Sequence, residues 1–444
     1  MINKITFILL SLFFMRGFTY ASDPPDLNFD EIDQLLDNQF EEKNNQIDAI
    51  YEAYSKAIDD AFKGASKKIS VHWPKDIRLP SKSIWVGYAQ DLKTRSFVNY
   101  KKGEVIIETK IKDNNIKNAN KNIHQMARSL SSNNNSDIVK LDVFSKELKN
   151  NLAKTDINLK EPKPDKYNTL KLLIPENTKI KDSKIASFTK VMQKVTKTPE
   201  IGKTDTKTAQ KKRDNLPKKQ TKNAITQETV LNTTQNIKSG VKLELIKKGQ
   251  DAILRMSIKF VNNYQKILME ENFDDVKRFS TKYNVPVSII LAIIETESSF
   301  NPRAVSAVPA FGLMQLVPKT AGVDAHNYVH GEKRIVSPDF LFDETNNLQL
   351  GTAYFKLLQS RYLRKIKDPQ SRFYCAVASY NTGIGNLAKT FIKDKNLSKA
   401  ALKINNMTPE QVYQYLIVNL PAQETKNYLK KIVSRKAKYE HFDS

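Results

Sequence analysis

Hydrophobic and polar positions follow different rhythms along this chain, and each rhythm predicts a different kind of element. Over 30–64, Ile32, Leu35, Leu36, Phe40, Ile47, Ile50, Tyr51, Tyr54, Ile58 and Phe62 recur at helical spacing and predict one long amphipathic helix. Over 71–110 the period shortens. The stretch SIWVGYAQDLKTRSFVNYKKGEVIIETK holds two β-rich runs, with Lys102-Gly103 as the turn of a hairpin ahead of EVIIETK. Strand-like alternation returns in VKLELI and AILRMSIKFV, which are assigned to the same α+β domain. Between the two groups, about 174–236, the chain is basic, polar and nearly free of large apolar residues, so it buries too little to offset its chain entropy. This stretch is expected to be a flexible Lys-rich insertion; a solvated spacer is favoured over a tether to anionic wall polymer or lipid. Beyond Asn263 the spacing is helical nearly to the end, with helices expected at 265–283, 286–299, 346–363, 370–381, 408–419 and 422–438. The fold class expected is α+β, with a mixed domain over 71–262, a helical segment over 22–70 ahead of it, and a mostly α domain over 263–444.

Charge and the first residues narrow the partners. Of 444 residues, 72 are Lys or Arg against 48 acidic ones, a formal charge of +24 that favours anionic polymers or surfaces. MINKITFILLSLFFMRGFTYASD has a lysine at position 4, an apolar block over 5–15 and small residues before Ser22, the layout of a secretory signal peptide over 1–21. Export disfavours nucleic acid and leaves cell walls and membranes. The lone cysteine, Cys375, offers no disulfide and is expected to be a small buried hydrophobe in FYCAVASYN.

The candidate chemistry lies in IILAIIETESSFNPRAVS, residues 289–306, where two glutamates stand two apart in an apolar run. Pro286 suits a first helical turn and Asn301-Pro302 a stop; the aliphatics between them wrap most of the circumference, as in a buried helix. At about 100° per residue Glu295 and Glu297 point about 200° apart and cannot act on one bond together. Glu297 shares its face with Ile293, Ile294 and Phe300 and stands in the last turn, where burial and the helix dipole both favour the protonated acid. Such a carboxyl suits general-acid attack on a glycosidic oxygen. On spacing alone, a helix-end residue facing solvent is the favoured alternative.

Four blocks in order, ETESSFNPRAVS, GLMQLVPKTAG, ASYNTGIGN and PAQETKNYLKKI, resemble the soluble-lytic-transglycosylase (SLT) family over 263–444. RSFVNYKKGEVIIET and MTPEQVYQYL resemble one branch of it, the membrane-bound lytic murein transglycosylases. The resemblance implies a lysozyme-like domain that cleaves peptidoglycan between N-acetylmuramic acid and N-acetylglucosamine and leaves a 1,6-anhydro ring. It implies Glu297 as the catalytic residue, acid and then base, which accounts for a lone carboxylate on that face. It implies Ser306, Met314, Gln315, Tyr380, Asn381, Glu424 and Tyr428 as substrate-binding, with Met314 and Tyr428 equally plausible as core residues and Glu424 as an orienting one. The implied partner is the peptidoglycan glycan strand, and the implied location is the periplasm, in association with the outer membrane. Two departures stand out: no cysteine near residue 21 can carry the branch's lipid, and the Lys-rich stretch has no counterpart in the branch. No cofactor is expected. His326 and His330, in a loop-like stretch without a third ligand, are not expected to bind metal. The rival readings are a lysozyme-type hydrolase on the same fold and a non-catalytic wall-binding scaffold.

Overall fold

The structure is a computed structural model that describes residues 29–111, 115–131, 138–155, 170–174, 233–238, 240–248, 251–306 and 309–443. The expected signal peptide and nearly all of the expected insertion lie outside them. The chain divides into two units, Met1–Ala49 and Ile50–Ser444. Of the first, residues 29–49 are helical, as the opening part of helix α1 (Phe29–Ser70). Everything that follows concerns the second.

From Ile50 onward α1 buries Tyr54, Ile58, Ala61, Ala65 and Ile69, three or four residues apart, so one stripe faces the protein. The helix outruns the expected end at 64, and Ile50, counted in the stripe, is 37% exposed.

The β-rich runs form strands β1 (Ile84–Tyr88), β2 (Thr94–Asn99) and β3 (Glu104–Ile111), so the stretch holds three strands where two runs were expected. Strands β4 (Thr233–Lys238), β5 (Val241–Lys248) and β6 (Asp251–Lys259) complete one antiparallel sheet in the order β1-β2-β3-β6-β5-β4. Strand β6 lies directly on β3, so residues from both sides of the basic stretch belong to one sheet, as the recurring alternation predicts. β4 takes up the last residues of that stretch.

Side chains alternate between the two faces of the sheet. One face buries Trp85, Val98, Val105, Ile107, Leu254, Met256 and Ile258 in the main core; helix α2 (Ile116–Leu130) brings Ile116, Ala119, Ile123, Met126 and Leu130 to the same core. The other carries Val86, Tyr88, Phe97 and Ile253 against Ile69 and Trp73. On that second face Arg95 and Glu108 are both fully buried, 2.6 Å apart, with Arg95 stacked 3.6 Å over the Trp73 ring. Helices α3 (Val143–Leu152) and α4 (Leu170–Leu173) follow before β4.

Past the sheet the chain is helical. The single helix expected at 265–283 is two, α5 (Tyr264–Glu270) and α6 (Phe273–Tyr283), because Asn272 turns its side-chain amide back to the Leu268 carbonyl, 3.3 Å away, at the break. The apolar run forms α7 (Val287–Glu297), buried all round from Val287 to Ile294. Then come α8 (Val323–His330), α9 (Pro338–Phe342), α10 (Glu344–Leu357), α11 (Pro369–Thr382), α12 (Ile384–Ile392), α13 (Leu397–Asn405), α14 (Pro409–Asn419) and α15 (Gln423–Tyr439). The pattern missed α8, α9, α12 and α13, which are short and carry glycine, proline or many polar residues. Helix α15 lies along α7, and Cys375 is fully buried in α11, as expected.

Candidate functional site

Glu297 is the last residue of α7, and the backbone beyond it is strained. Ser299 and Phe300 take left-handed φ values of 54° and 62°. That region is costly for any side chain with a Cβ and unusual for a bulky one; such residues cluster at functional sites. The turn is held because Phe300 and Asn301 are buried and the Asn301 amide Nδ2 donates to the Lys82 carbonyl at 3.1 Å. Glu297 is thereby kept 5% exposed.

The groups around its carboxyl come from three places. Tyr428 and Glu424 come from α15, Tyr380 from α11, and Lys82 from the loop ahead of β1. Lys82 Nζ stands 3.4 Å from Glu297 Oε2 and 3.6 Å from Glu424 Oε1. Burial pushes Glu297 above its ordinary pKa; Lys82 and the Tyr428 hydroxyl pull it down without cancelling the rise. Tyr428 is close enough to exert that pull but has no formed hydrogen bond, so its hydroxyl is a buried donor held ready. Tyr380 donates to the Met314 carbonyl at 2.9 Å. Burial and Glu297 raise both phenols well above the usual value, so both stay protonated.

Glu295 faces the other way, as the helical geometry predicts. It is clamped by Arg435 at 3.2 Å, Lys438 at 3.2 Å and the Tyr439 hydroxyl at 2.7 Å, in a network that ties α7 to α15.

The GLMQ block is a tight loop of small bridges, Val305 to Phe311 and Phe311 to Leu316. Gly312 turns it at φ 76°, where an added Cβ would sit 2.2 Å from the Leu341 carbonyl oxygen. Asn347, fully buried on α10, accepts from Met314 N at 2.8 Å and donates to the carbonyls of Phe311 and Leu341 at 2.9 and 2.8 Å. The Met314 side chain is fully buried against Gly351, the core alternative of the two weighed for it, and meets Tyr380 through its carbonyl. Gln315, with φ 49°, spends Nε2 on the carbonyls of Ala304 and Gly312, both 3.1 Å away, while its buried Oε1 has no partner. Ser306 Oγ accepts from Ala310 N at 3.2 Å. Asn381 follows Tyr380, half-buried near the end of α11, and the Glu424 side chain is 75% exposed.

The structure thus gathers Tyr380, Tyr428 and Glu424 around the Glu297 carboxyl, with Met314 hydrogen-bonded to Tyr380 and Gln315 and Ser306 in the adjoining loop. Sequence reasoning missed Lys82, Asn301 in its tethering role, and Asn347. Asn301 stood in a quoted block; Lys82, in Ser-Lys-Ser, carried no signal. His326 and His330 lie on helix α8 and not in a loop, a correction that follows from how short and polar that helix is. Their rings are 4.6 Å apart, and both His326 nitrogens are engaged, Nδ1 with the Glu332 carbonyl at 2.8 Å and Nε2 with Arg334 at 3.1 Å. No group of three or more metal-ligating side chains occurs among the described residues.

Residues 275–403 match the family model of the transglycosylase SLT domain, and residues 51–157 that of the N-terminal domain of membrane-bound lytic murein transglycosylase C. Membrane-bound lytic murein transglycosylase C of Serratia proteamaculans is 40% identical over 198 residues, 45% of this chain and 54% of that one. Its counterpart in Salmonella arizonae is 41% identical over 191 residues, 43% and 52% of the two chains. The chain therefore spans about half the length of these relatives. A solved structure, the 70 kDa soluble lytic transglycosylase of Escherichia coli, is 25% identical and covers 40% of this chain and 26% of that one, with a TM-score of 0.30. In two separate stretches, then, this chain resembles the SLT lytic transglycosylases and, among them, membrane-bound lytic murein transglycosylase C.

Proposed function

We propose that this protein is a peptidoglycan lytic transglycosylase in which Glu297 works as acid and then as base. The observation that carries the reading is a single carboxyl, buried at a helix end, raised in pKa and faced by two protonated tyrosines. A raised carboxyl keeps its proton to higher pH than an ordinary one and can give it to the glycosidic oxygen of the departing N-acetylglucosamine. As the bond from that oxygen to C1 of the muramic acid breaks, the sugar's own 6-hydroxyl attacks C1. Its proton goes to the Glu297 carboxylate, which restores the starting acid. Water is not consumed, and one carboxylate serves both steps; a hydrolytic glycosidase needs a second one on the opposite face.

The other residues take supporting roles in this reading. Tyr428 offers its proton to the Glu297 carboxylate, and Tyr380, whose proton goes to the Met314 carbonyl, accepts from a saccharide hydroxyl. Gln315 offers its free Oε1 to a sugar hydroxyl or amide, and Ser306 and Asn381 line the approach. Met314 acts through its carbonyl, fixing Tyr380, and Glu424 stands at the rim. The catalytic domain would span 263–444 and the mixed domain 71–262, with a secretory signal over 1–21. The matched relatives are named membrane-bound, which supports an envelope location; within the envelope the reading is of a periplasmic enzyme associated with the outer membrane. No helix among the described residues is long and apolar enough to cross a membrane. The basic stretch is positively charged enough to touch anionic wall polymer or lipid.

Digestion of purified sacculi, followed by mass spectrometry of the released muropeptides, tests the activity. The expected product ends in 1,6-anhydro-muramic acid. A reducing end would make the enzyme a hydrolase, and binding without release would make it a scaffold.

A further inference from the structure

Lys82 belongs to the sheet-bearing half of the protein, 215 residues from Glu297 in sequence. Its loop is anchored on both sides, Ser81 N donating to the Ile84 carbonyl at 2.8 Å and Tyr100 N to the Ser83 carbonyl at 3.0 Å. Its own carbonyl is gripped by Asn301 in the turn after Glu297. Backbone and side chain therefore dock together, and the ammonium arrives at the carboxyl as part of a fixed loop. Two carboxylates hold it, one buried and one at the rim, and its side chain stays 39% exposed, open to a saccharide entering from solvent.

Resting on the reading of Glu297 as acid and base, we propose that Lys82 is a positioning residue for the reaction. The N-terminal half delivers its ammonium to the mouth of the site, where it steadies Glu297 in the anionic form that follows proton release. Acid-then-base chemistry makes opposite demands on one side chain. Burial favours the protonated form that begins the reaction and penalises the carboxylate that must persist until the 6-hydroxyl returns a proton. A cation beside the buried oxygen offsets the second effect without abolishing the first. The other groups facing Glu297 do not supply it. Tyr380 and Tyr428 are neutral, Glu424 is an anion, and Arg435, the cation beyond Tyr428, is engaged by Glu295 and the Thr296 hydroxyl at 2.7 Å. Among the described residues the ion pair of Glu297 is with Lys82.

The test uses full-length protein labelled with 13C at glutamate carboxyls, the Glu297 signal being assigned by its loss in Glu297→Gln. The signal is titrated in wild type, Lys82→Met and Lys82→Arg, and sacculus digestion is followed against pH with the same proteins. Removing the cation leaves burial less opposed, so the Glu297 midpoint should move up by about half a unit or more in Lys82→Met and stay near wild type in Lys82→Arg. The alkaline limb of the activity profile, which reports loss of the acid's proton, should move up with it. An unmoved midpoint in Lys82→Met overturns the proposal. A midpoint that moves while the alkaline limb stays overturns Glu297 as the acid, and with it the catalytic part of this proposal, so the two failures are distinct.

Discussion

A carboxyl whose pKa rises on folding is held at a cost in stability, and for Glu297 the sign can be followed through. Its folded value lies above the ordinary 4.5, so the fold favours the protonated acid. That preference is fully present below the unfolded value and is lost as pH rises through the folded one. Above the unfolded value, ionisation that costs the unfolded chain nothing is opposed in the folded one by burial. Glu297→Gln, neutral and similar in shape, should melt higher than wild type at pH 7 by about 1–2 °C, with the gain vanishing toward pH 4. Thermal melts at the two pH values check this. The same substitution should lower muropeptide release at least about a thousandfold, since the proton donor is gone. Glu295→Gln behaves differently. It weakens the clamp of Arg435, Lys438 and Tyr439, so release should fall by less than about tenfold while the melting temperature drops. Equal losses of release in the two variants would contradict their placement on opposite faces. Here the sequence was informative, because the helical period alone separates the two carboxylates. It could not foresee Lys82, whose neighbours in sequence are two serines and whose role is set by a loop docking from the other half.

Elements differ in how much of themselves they display in sequence. Helix α7 was legible because a run of aliphatics bounded by proline at both ends admits few other structures, and the sheet was legible from alternation that resumes after the basic stretch. The GLMQ loop was legible only as a motif; what holds it is a buried asparagine on another helix. Asn347 satisfies the Met314 amide and the Leu341 carbonyl and adds a second bond to the Phe311 carbonyl, which also accepts from Leu316 N, and nothing in its own helix signals that duty. Replacing it with leucine should cost about 3 kcal/mol, since the Met314 amide and the Leu341 carbonyl lose this partner at once. Gly312→Ala should be comparably damaging. Its left-handed φ disfavours any Cβ, and the added carbon would collide with the Leu341 carbonyl, which is backbone and cannot swing aside. Denaturant unfolding measures both costs. Because Met314 anchors Tyr380 through this loop, sacculus digestion by whatever Gly312→Ala protein still folds should fall as well.

At the scale of the whole chain, the two halves that sequence composition separates at about residue 262 share their interior. One cluster of buried apolar residues runs from Tyr54, Trp85 and Ile107 in the sheet-bearing half to Leu291, Phe355 and Leu429 in the helical half. Polar links cross the same boundary. Asn301 holds Lys82, Arg303 donates to Ser145 Oγ at 3.1 Å and lies near Asp142, and the Tyr264 hydroxyl donates to the Lys101 carbonyl at 3.2 Å. Two of these three links fall in the turn that follows Glu297, so the junction between halves braces the strained backbone beside the carboxyl. Composition cannot reveal this, since a boundary in hydropathy marks where the chain changes character and not where its core ends. The consequence is measurable. A chain limited to residues 263–443 exposes apolar surface that the sheet now covers and leaves Asn301 and Arg303 without these partners. It should melt about 5 °C or more below the full protein by circular dichroism, or fail to stay soluble. Should the isolated helical half melt with the full chain, the shared core would be incidental, and the left-handed turn at Ser299 and Phe300 would have to be held by the helices alone.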